Sequence, residues 1–395
     1  MGKKVRWGIA LVALVLVLMG AYAYFIGTRV MLGQAEAFAF RRMTVPQLAE
    51  QGTFKFFYAT NRVAADPQGS VADRFERQRE SQLKFGSFDT RIEPSLGLGM
   101  ILDASDWFLN EEIRLLNVGA MEQEAFVEKL REQVEESPYH SLLLVVHGFR
   151  EAFPSALRKT AFLAHVLDIN TPVVVFDWPG DQGSSLNGYR RARGMAQASG
   201  AELAAMLELI VEEVRPERLW MIANSMGGQV VVDAFHLLDD DEDYSDLQTE
   251  IENVVLTAPD VDHEEFNARF KQEITDLAEN VTVYVSSNDR ALLASRLINR
   301  GLRLGESTLD PGNPGQVQQT EKISKLLEAG DDSLVLVDVT PVNRTRNFHN
   351  FSLETPEFFD DLFLRFTGNE IPKSRELYFL ETPQGVRYFV LTRGR

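Results

Sequence analysis

Leu219-Trp-Met-Ile-Ala-Asn-Ser-Met-Gly-Gly228 is an apolar run that ends in a small-x-Ser-x-Gly turn and leads at once into an amphipathic stretch. Read physically, it is a buried strand turning sharply into a helix, with Ser225 at the apex. Such an elbow holds the serine in a strained backbone conformation and lifts its hydroxyl above the sheet edge. The positions two before and two after must then be small, and Ala223 and Gly227 comply. Alanine replaces the usual first glycine, the smallest change a side chain can make there.

Working outward, β-branched or leucine-rich runs alternate with helical stretches from Ser141 onward. The pattern predicts strands at 142–146, 173–176, 219–223, 254–256, 281–285 and 334–339. Helices are expected at 155–167, 191–214, 229–238 and 356–365, the last with Thr355 as N-cap and Pro356 at the first helical position. Continuous apolar strands separated by helices imply an α/β fold, a mostly parallel sheet covered on both faces. Such sheets bind ligands at the carboxyl ends of their strands. Upstream, residues 53–60 have the aromatic density of a strand, and the charged, turn-rich segment 64–87 reads as surface. Two short alternating runs, 377–381 and 386–391, read as a terminal hairpin. The expected organisation is therefore an N-terminal segment 1–27, a connector 28–52, a catalytic-type α/β domain 53–370 and a hairpin extension 371–395.

The chain has 395 residues, 45% of them hydrophobic, which supports a large buried core. Its net charge of −18 disfavours nucleic acid or anionic lipid as the main partner. Absence of cysteine excludes thiolate nucleophiles, disulfides and cysteine zinc sites. The acidic run Asp239-Asp-Asp-Glu-Asp243 lacks the glycine and terminal glutamate of a calcium loop and reads as solvated. Gly97-Leu-Gly99 has no third glycine, so no dinucleotide fingerprint is present.

Lys3, Lys4 and Arg6 precede an uncharged stretch from Trp7 to Ile26. As a helix it would span about 30 Å, the thickness of a bilayer's hydrocarbon core. The basic flank keeps the N-terminus cytoplasmic and places everything after Arg29 outside. A single-pass anchor is therefore expected, with the domain on the extracytoplasmic side of a bacterial inner membrane. Ala21-Tyr22-Ala23 offers the competing form of a signal-peptide cleavage site, which would release the domain.

A serine hydroxyl needs a general base, and the base needs a third group to orient it. With an elbow of this kind the chain order is nucleophile, acid, base. Of the six histidines, His140, His147 and His165 precede Ser225, His236 lies in the helix leaving the elbow, and His263 precedes the best acid. His349 remains, after the last strand of the parallel sheet. Asp289, beyond the 281–285 strand, is the first choice of acid, and Asp260, beyond the preceding strand, is the alternative. Either could instead serve as a turn or helix-capping aspartate. The oxyanion of a tetrahedral intermediate needs two backbone donors, for which the amides of Met226 and Phe149 are the candidates. Phe149 belongs to Val145-Val-His-Gly-Phe149, in which His147 is expected to brace the loop. This chemistry calls for neither metal nor organic cofactor, and a small neutral ester is the expected substrate.

With these residues in view the chain resembles the α/β-hydrolase superfamily, and more closely a bacterial family of predicted serine esterases. The resemblance rests on Tyr58-Ala-Thr-Asn-Arg62, Val146-His-Gly-Phe149, Trp178-Pro179, Asn224-Ser-Met-Gly227, Ser287-Asn-Asp-Arg-Ala-Leu292 with Ser295-Arg296, and the His349 loop. It implies Ser225 as nucleophile, Asp289 as acid and His349 as base. Two departures, Asn224 for the family's histidine and Gly180 for its serine, fall beside the expected cleft and bear on substrate preference. Thioesterases and amidases use the same residues, a transferase or haloperoxidase variant would need little more, and a catalytically silent scaffold is the alternative from another class.

Overall fold

The structure, a computed structural model, describes residues 53–92, 113–239, 251–299, 301–306, 334–345, 349–368, 377–381 and 387–392, together with Leu14, Val15 and Val17. The remainder of the 7–26 stretch, the Gly97-Leu-Gly99 segment and residues 240–243 of the acidic run lie outside the described residues. Among the described residues no helix is long and apolar enough to cross a membrane.

Six strands form the parallel centre: β4 (Ser141–Val146), β5 (Val173–Asp177), β6 (Arg218–Asn224), β7 (Ile251–Thr257), β8 (Ala278–Val285) and β9 (Leu334–Asp338). They match the predicted runs to within a few residues. On one side β1 (Thr53–Ala64) pairs parallel with β5, then β2 (Phe75–Ile92) and β3 (Ile113–Met121) continue antiparallel. On the other, the hairpin β10 (Leu377–Glu381) and β11 (Arg387–Leu391) joins β9 through parallel pairing of Phe389 with Val337. Among the described residues the result is one sheet of 11 strands in the order β10-β11-β9-β8-β7-β6-β4-β5-β1-β2-β3.

Alternation along the strands explains why helices cover both faces. Leu142, Leu144 and Val146 of β4 pack into one core with Phe57, Met221 and Val254, while Leu143 and Val145 enter the other with Phe56, Trp220 and Val255. The first face is covered by α1 (Gln123–Glu136), α4 (Gly200–Leu209), α5 (Gly227–Asp239) and α6 (Lys271–Leu277). Onto the second pack α2 (Phe153–Leu167) and α9 (Pro356–Phe366), together with Leu292 of α7 (Arg290–Asn299). Each fully buried leucine or valine contributes about 1.5–3 kcal/mol relative to exposure, so the continuous apolar strands are what make the double cover obligatory.

Two expectations need correction. The segment 64–87 is not merely turn-rich surface, because β2 begins at Phe75 and runs for 18 residues. Its early half pairs with the end of β1, Arg62 opposite Arg79 and Ala64 opposite Phe75, and the exposed run Glu76-Arg77-Gln78 masks the strand pattern. The single helix expected at 191–214 is α3 (Leu186–Ala198), α4 and a π-helical turn at Ile210–Val214. The break at Ser199 coincides with a tertiary bond, Asn61 Nδ2 donating to Ser199 Oγ at 2.9 Å, which no helical periodicity can reveal. Thr355 does precede Pro356 at the start of α9, but its side chain makes no capping hydrogen bond.

Candidate active site

β4 lies between β5 and β6, so the chain leaves it in one direction and returns on its other side. That reversal opens a crevice at the strands' carboxyl ends, and the elbow after β6 and the loop after β4 meet there. Ser225 occupies the left-handed region at φ 53°, a strain of about 1–3 kcal/mol that the surroundings must hold in place. Its amide donates to Thr257 O at 2.9 Å, and its carbonyl accepts from Gly228 N and Asp260 N, both at 3.0 Å. The small residues of the motif are explained by crowding. A Cβ on Gly227 would come within 2.6 Å of His147 O, and one on Gly148 within 3.2 Å of the Ser225 Cβ.

A cavity of about 530 Å³ opens at this point, and Ser225, His349, Asp260, Phe149, Asn224 and Tyr189 are among its walls. The segment carrying His349 is placed by α8 (Phe351–Glu354), which follows it directly. His349 Nδ1 lies 2.6 Å from Asp289 Oδ2. Asp289 is fully buried, and its other oxygen, Oδ1, accepts from the amides of Ala291 and Leu292 at 2.9 and 3.0 Å. The same carboxylate therefore caps α7 and holds the imidazole. Burial pulls His349 down, but the charge of Asp289, the hydrogen bond to it and the more distant charge of Asp260 together raise it above the ordinary histidine value.

Asp260 is engaged differently. Its Oδ1 accepts from Arg303 Nε at 2.8 Å and Ser295 Oγ at 2.6 Å, and its Oδ2 from Tyr189 Oη at 2.8 Å. Burial and the neighbouring Asp260 charge push Tyr189 up to about 12, so it remains a protonated donor. Capping, suspected of this segment, belongs to Asp262, whose carboxylate accepts from Glu264 N and Glu265 N at 3.1 Å. Asn224, on the cavity wall, is fixed by Thr257 Oγ1 at 2.9 Å and Ser352 Oγ at 3.2 Å. His236 is partly buried against Glu273, its Nδ1 2.9 Å away. Met226 is buried at the start of the turn into α5, and its side chain is not among the cavity walls.

On the opposite side of the elbow the His147 ring stacks on Trp178 at 5.5 Å between centroids. Its Nδ1 lies 2.9 Å from Gly148 O, and its Nε2 lies 3.1 Å from both Asp177 Oδ1 and Trp178 N. Burial pushes Asp177 up, but the Arg62 charge, the adjoining His147 ring and a hydrogen bond from Thr60 more than offset it and hold the carboxyl below its ordinary value. Arg62, Asp177, Tyr189, Ser295 and Arg303 were not identified from sequence as part of the site. Arg62 and Ser295 lay in motifs noted for resemblance alone. Asp177, Tyr189 and Arg303 carry no local signal, since each gains its partner across 30 positions of chain or more.

The model of the family described as "Alpha/beta hydrolase of unknown function (DUF900)" matches residues 122–361. The chain belongs to this family. Its match starts just before α1 and ends within α9, so β1–β3 and the terminal hairpin lie outside it. No curated protein matches. Solved structures similar to this α/β-hydrolase include the Pyrococcus furiosus esterase Pf2001, at 13% identity over 57% of this chain and 80% of that one, TM-score 0.33. Others are a putative hydrolase from Agrobacterium vitis S4, at 13% identity over 76% and 96% with TM-score 0.31, and LpqC, a poly(3-hydroxybutyrate) depolymerase from Bordetella parapertussis, at 15% over 58% and 80% with TM-score 0.32. At these scores they add nothing to the family match and the sheet order.

Proposed function

We propose that this α/β-hydrolase is a serine hydrolase that cleaves small carboxylic esters through an acyl-enzyme at Ser225. The observation that carries the reading is the 2.6 Å contact of His349 Nδ1 with Asp289 Oδ2 on the wall of the cavity that Ser225 also lines. With Nδ1 held by the carboxylate, Nε2 is the nitrogen that takes the serine proton. Ser225 Oγ adds to the ester carbonyl as its proton passes to His349, and the tetrahedral oxyanion is held by the amides of Phe149 and Met226. Collapse expels the alcohol, which regains the proton from His349. Water then repeats the sequence on the acyl-serine and releases the acid. General base catalysis of this kind supplies about 10²–10⁴-fold, and each oxyanion donor about 10²–10³-fold. The N-terminus of α5, starting at Gly227, adds a favourable dipole beside the developing charge.

Asp289 is the better acid because one of its oxygens is committed to His349, whereas both oxygens of Asp260 are taken by Arg303, Ser295 and Tyr189. The basic flank before the apolar 7–26 stretch supports a membrane-anchored, exported enzyme. Alkaline phosphatase fused at the C-terminus is expected to be active, and an inactive fusion beside an active cytoplasmic reporter would reverse that orientation. For the chemistry, the full-length protein is treated with a fluorophosphonate probe and assayed on p-nitrophenyl esters. Labelling at Ser225 with turnover is the expected result. A folded protein with neither, indistinguishable from Ser225→Ala, would make the chain a scaffold.

A further inference from the structure

A trans peptide is rigid and planar, so its C=O and N–H point in opposite directions and fixing one aims the other. The Gly148 carbonyl and the Phe149 amide share one such peptide. Gly148 O is met by His147 Nδ1 at 2.9 Å, and since a carbonyl can only accept, that nitrogen carries a proton. The preceding carbonyl is also fixed, His147 O accepting from Trp178 Nε1 at 2.8 Å. The orientation of the Phe149 N–H is therefore set by where the His147 ring sits.

That ring is placed from a distance. Its Nε2 end abuts Asp177 and receives the Trp178 amide. Asp177 is in turn held by Thr60 Oγ1 at 2.7 Å and Arg62 Nε at 2.8 Å. Arg62 is 1% exposed and turns most of its fork on this region: Asp181 Oδ1 at 2.7 Å, and the carbonyls of Glu151 and Trp178 at 2.9 Å, with a longer bond to Glu76 O at 3.4 Å. Glu151 closes the loop that starts at His147, so the guanidinium ties the far end of that loop to the end of β5. Lysine could not reproduce these contacts, because it offers one point donor group in place of a planar fork. Arg62 and Thr60 lie on β1, outside the matched family region.

We propose that Arg62 and Asp177 are positioning residues that act through His147 to aim the Phe149 amide into the Ser225 cavity. The proposal rests on the serine-hydrolase reading above. A peptide tilted away from the oxyanion forfeits most of that donor's effect, while ground-state binding is little changed.

The test compares the full-length wild type with Arg62→Lys and with the milder, near-isosteric Thr60→Val, which removes the hydroxyl that donates to Asp177 Oδ2. Four quantities are measured: kcat, KM, the pH midpoint of kcat/KM and the affinity for phenylboronic acid. The boronate takes an electron pair from Ser225 Oγ while the serine proton passes to His349, so its tetrahedral adduct places an oxygen where the oxyanion sits. In Arg62→Lys, kcat is expected to fall by about 10-fold or more, with boronate affinity falling in parallel. KM should stay within about twofold and the pH midpoint should be unchanged, because His349 is untouched. Thr60→Val should show the same pattern at about threefold. A folded variant that lowers only thermal stability, with kcat and boronate affinity as in wild type, overturns the proposal. If Arg62→Lys does not fold, Thr60→Val decides alone. A wild type that neither labels nor turns over sinks the hydrolase reading and this inference with it, whereas an active wild type with unaffected variants sinks only the inference.

Discussion

The ends of β7 and β8 place similar residues in different states. The strands are parallel neighbours, Thr257 opposite Tyr284, and each is followed by an aspartate near the same cavity. Past β7, Asp260 sits among Arg303, Ser295 and Tyr189, with both oxygens used to bind chain segments together. Past β8, Asp289 spends one oxygen on the start of α7 and the other on His349. A carboxylate saturated by permanent partners stabilises the fold, while one with an oxygen reserved for an imidazole can also support proton transfer. Role follows from the partners and not from residue type or strand position.

The largest expected effects would break the assignment on the β8 side. Ser225→Ala and His349→Ala should each lower kcat by about 10⁴-fold or more, with circular dichroism near wild type in both and melting temperature near wild type in Ser225→Ala. Adding Asp289→Asn to either should change little, since the three act as one unit. A double variant much slower than its parent would show them acting independently.

Next in size is Asp289→Asn alone, expected to cost about 10²-fold or more in kcat because the amide neither stabilises the imidazolium nor selects the right tautomer. In the wild type, kcat/KM should rise with pH through a midpoint above the ordinary histidine value of about 6.5, since the carboxylate raises His349. The variant's midpoint should lie lower, and an unmoved midpoint would remove His349 as the titrating base. Stability runs in the opposite sense to activity. A histidine raised in the folded state stabilises below its unfolded value and loses that contribution as pH rises through the folded value. Melting temperature of inactive Ser225→Ala should therefore decline slightly across the window in which wild-type activity climbs.

Asp260→Asn should invert the pattern. Arg303 is fully buried, and losing its nearer charge partner, with Asp262 Oδ2 at 3.4 Å the carboxylate that remains, should cost up to about 3 kcal/mol, read as a lower denaturant midpoint. Turnover per folded molecule should fall by less than about tenfold. A stable but crippled Asp260→Asn beside a mild Asp289→Asn would exchange the two roles.

Salt gives the smallest change. The His349–Asp289 pair is buried and a neutral ester feels little of the −18 net charge, so turnover should vary by less than about twofold between about 0.05 and 0.5 M salt. A steep dependence would point to a charged substrate.

Much of the site was legible because it depends on local constraint. The elbow imposes small residues within two positions of Ser225, and the parallel strands write themselves as apolar runs. Chain order left His349 as the base candidate. Asp289 and Asp260 remained open alternatives, because a capping aspartate and an imidazole-orienting aspartate look the same in sequence, and Asp289 does both jobs. The early half of β2 was hidden because three exposed polar residues in succession, 76–78, erase the strand alternation, and the break at Ser199 because its partner, Asn61, lies 138 positions away.

The sequence by itself determined the α/β sheet, the serine elbow and the residue types available for proton transfer, since these follow from hydrophobic period, steric crowding at a turn and chain order. Only the tertiary structure decided which aspartate meets His349, that Tyr189 and Arg303 occupy the other, and that Arg62 reaches the His147 loop from β1. Those are long-range pairings of buried polar groups. Each side chain's choice of partner there is fixed by desolvation and by distances of about 3 Å that exist only once the strands are side by side.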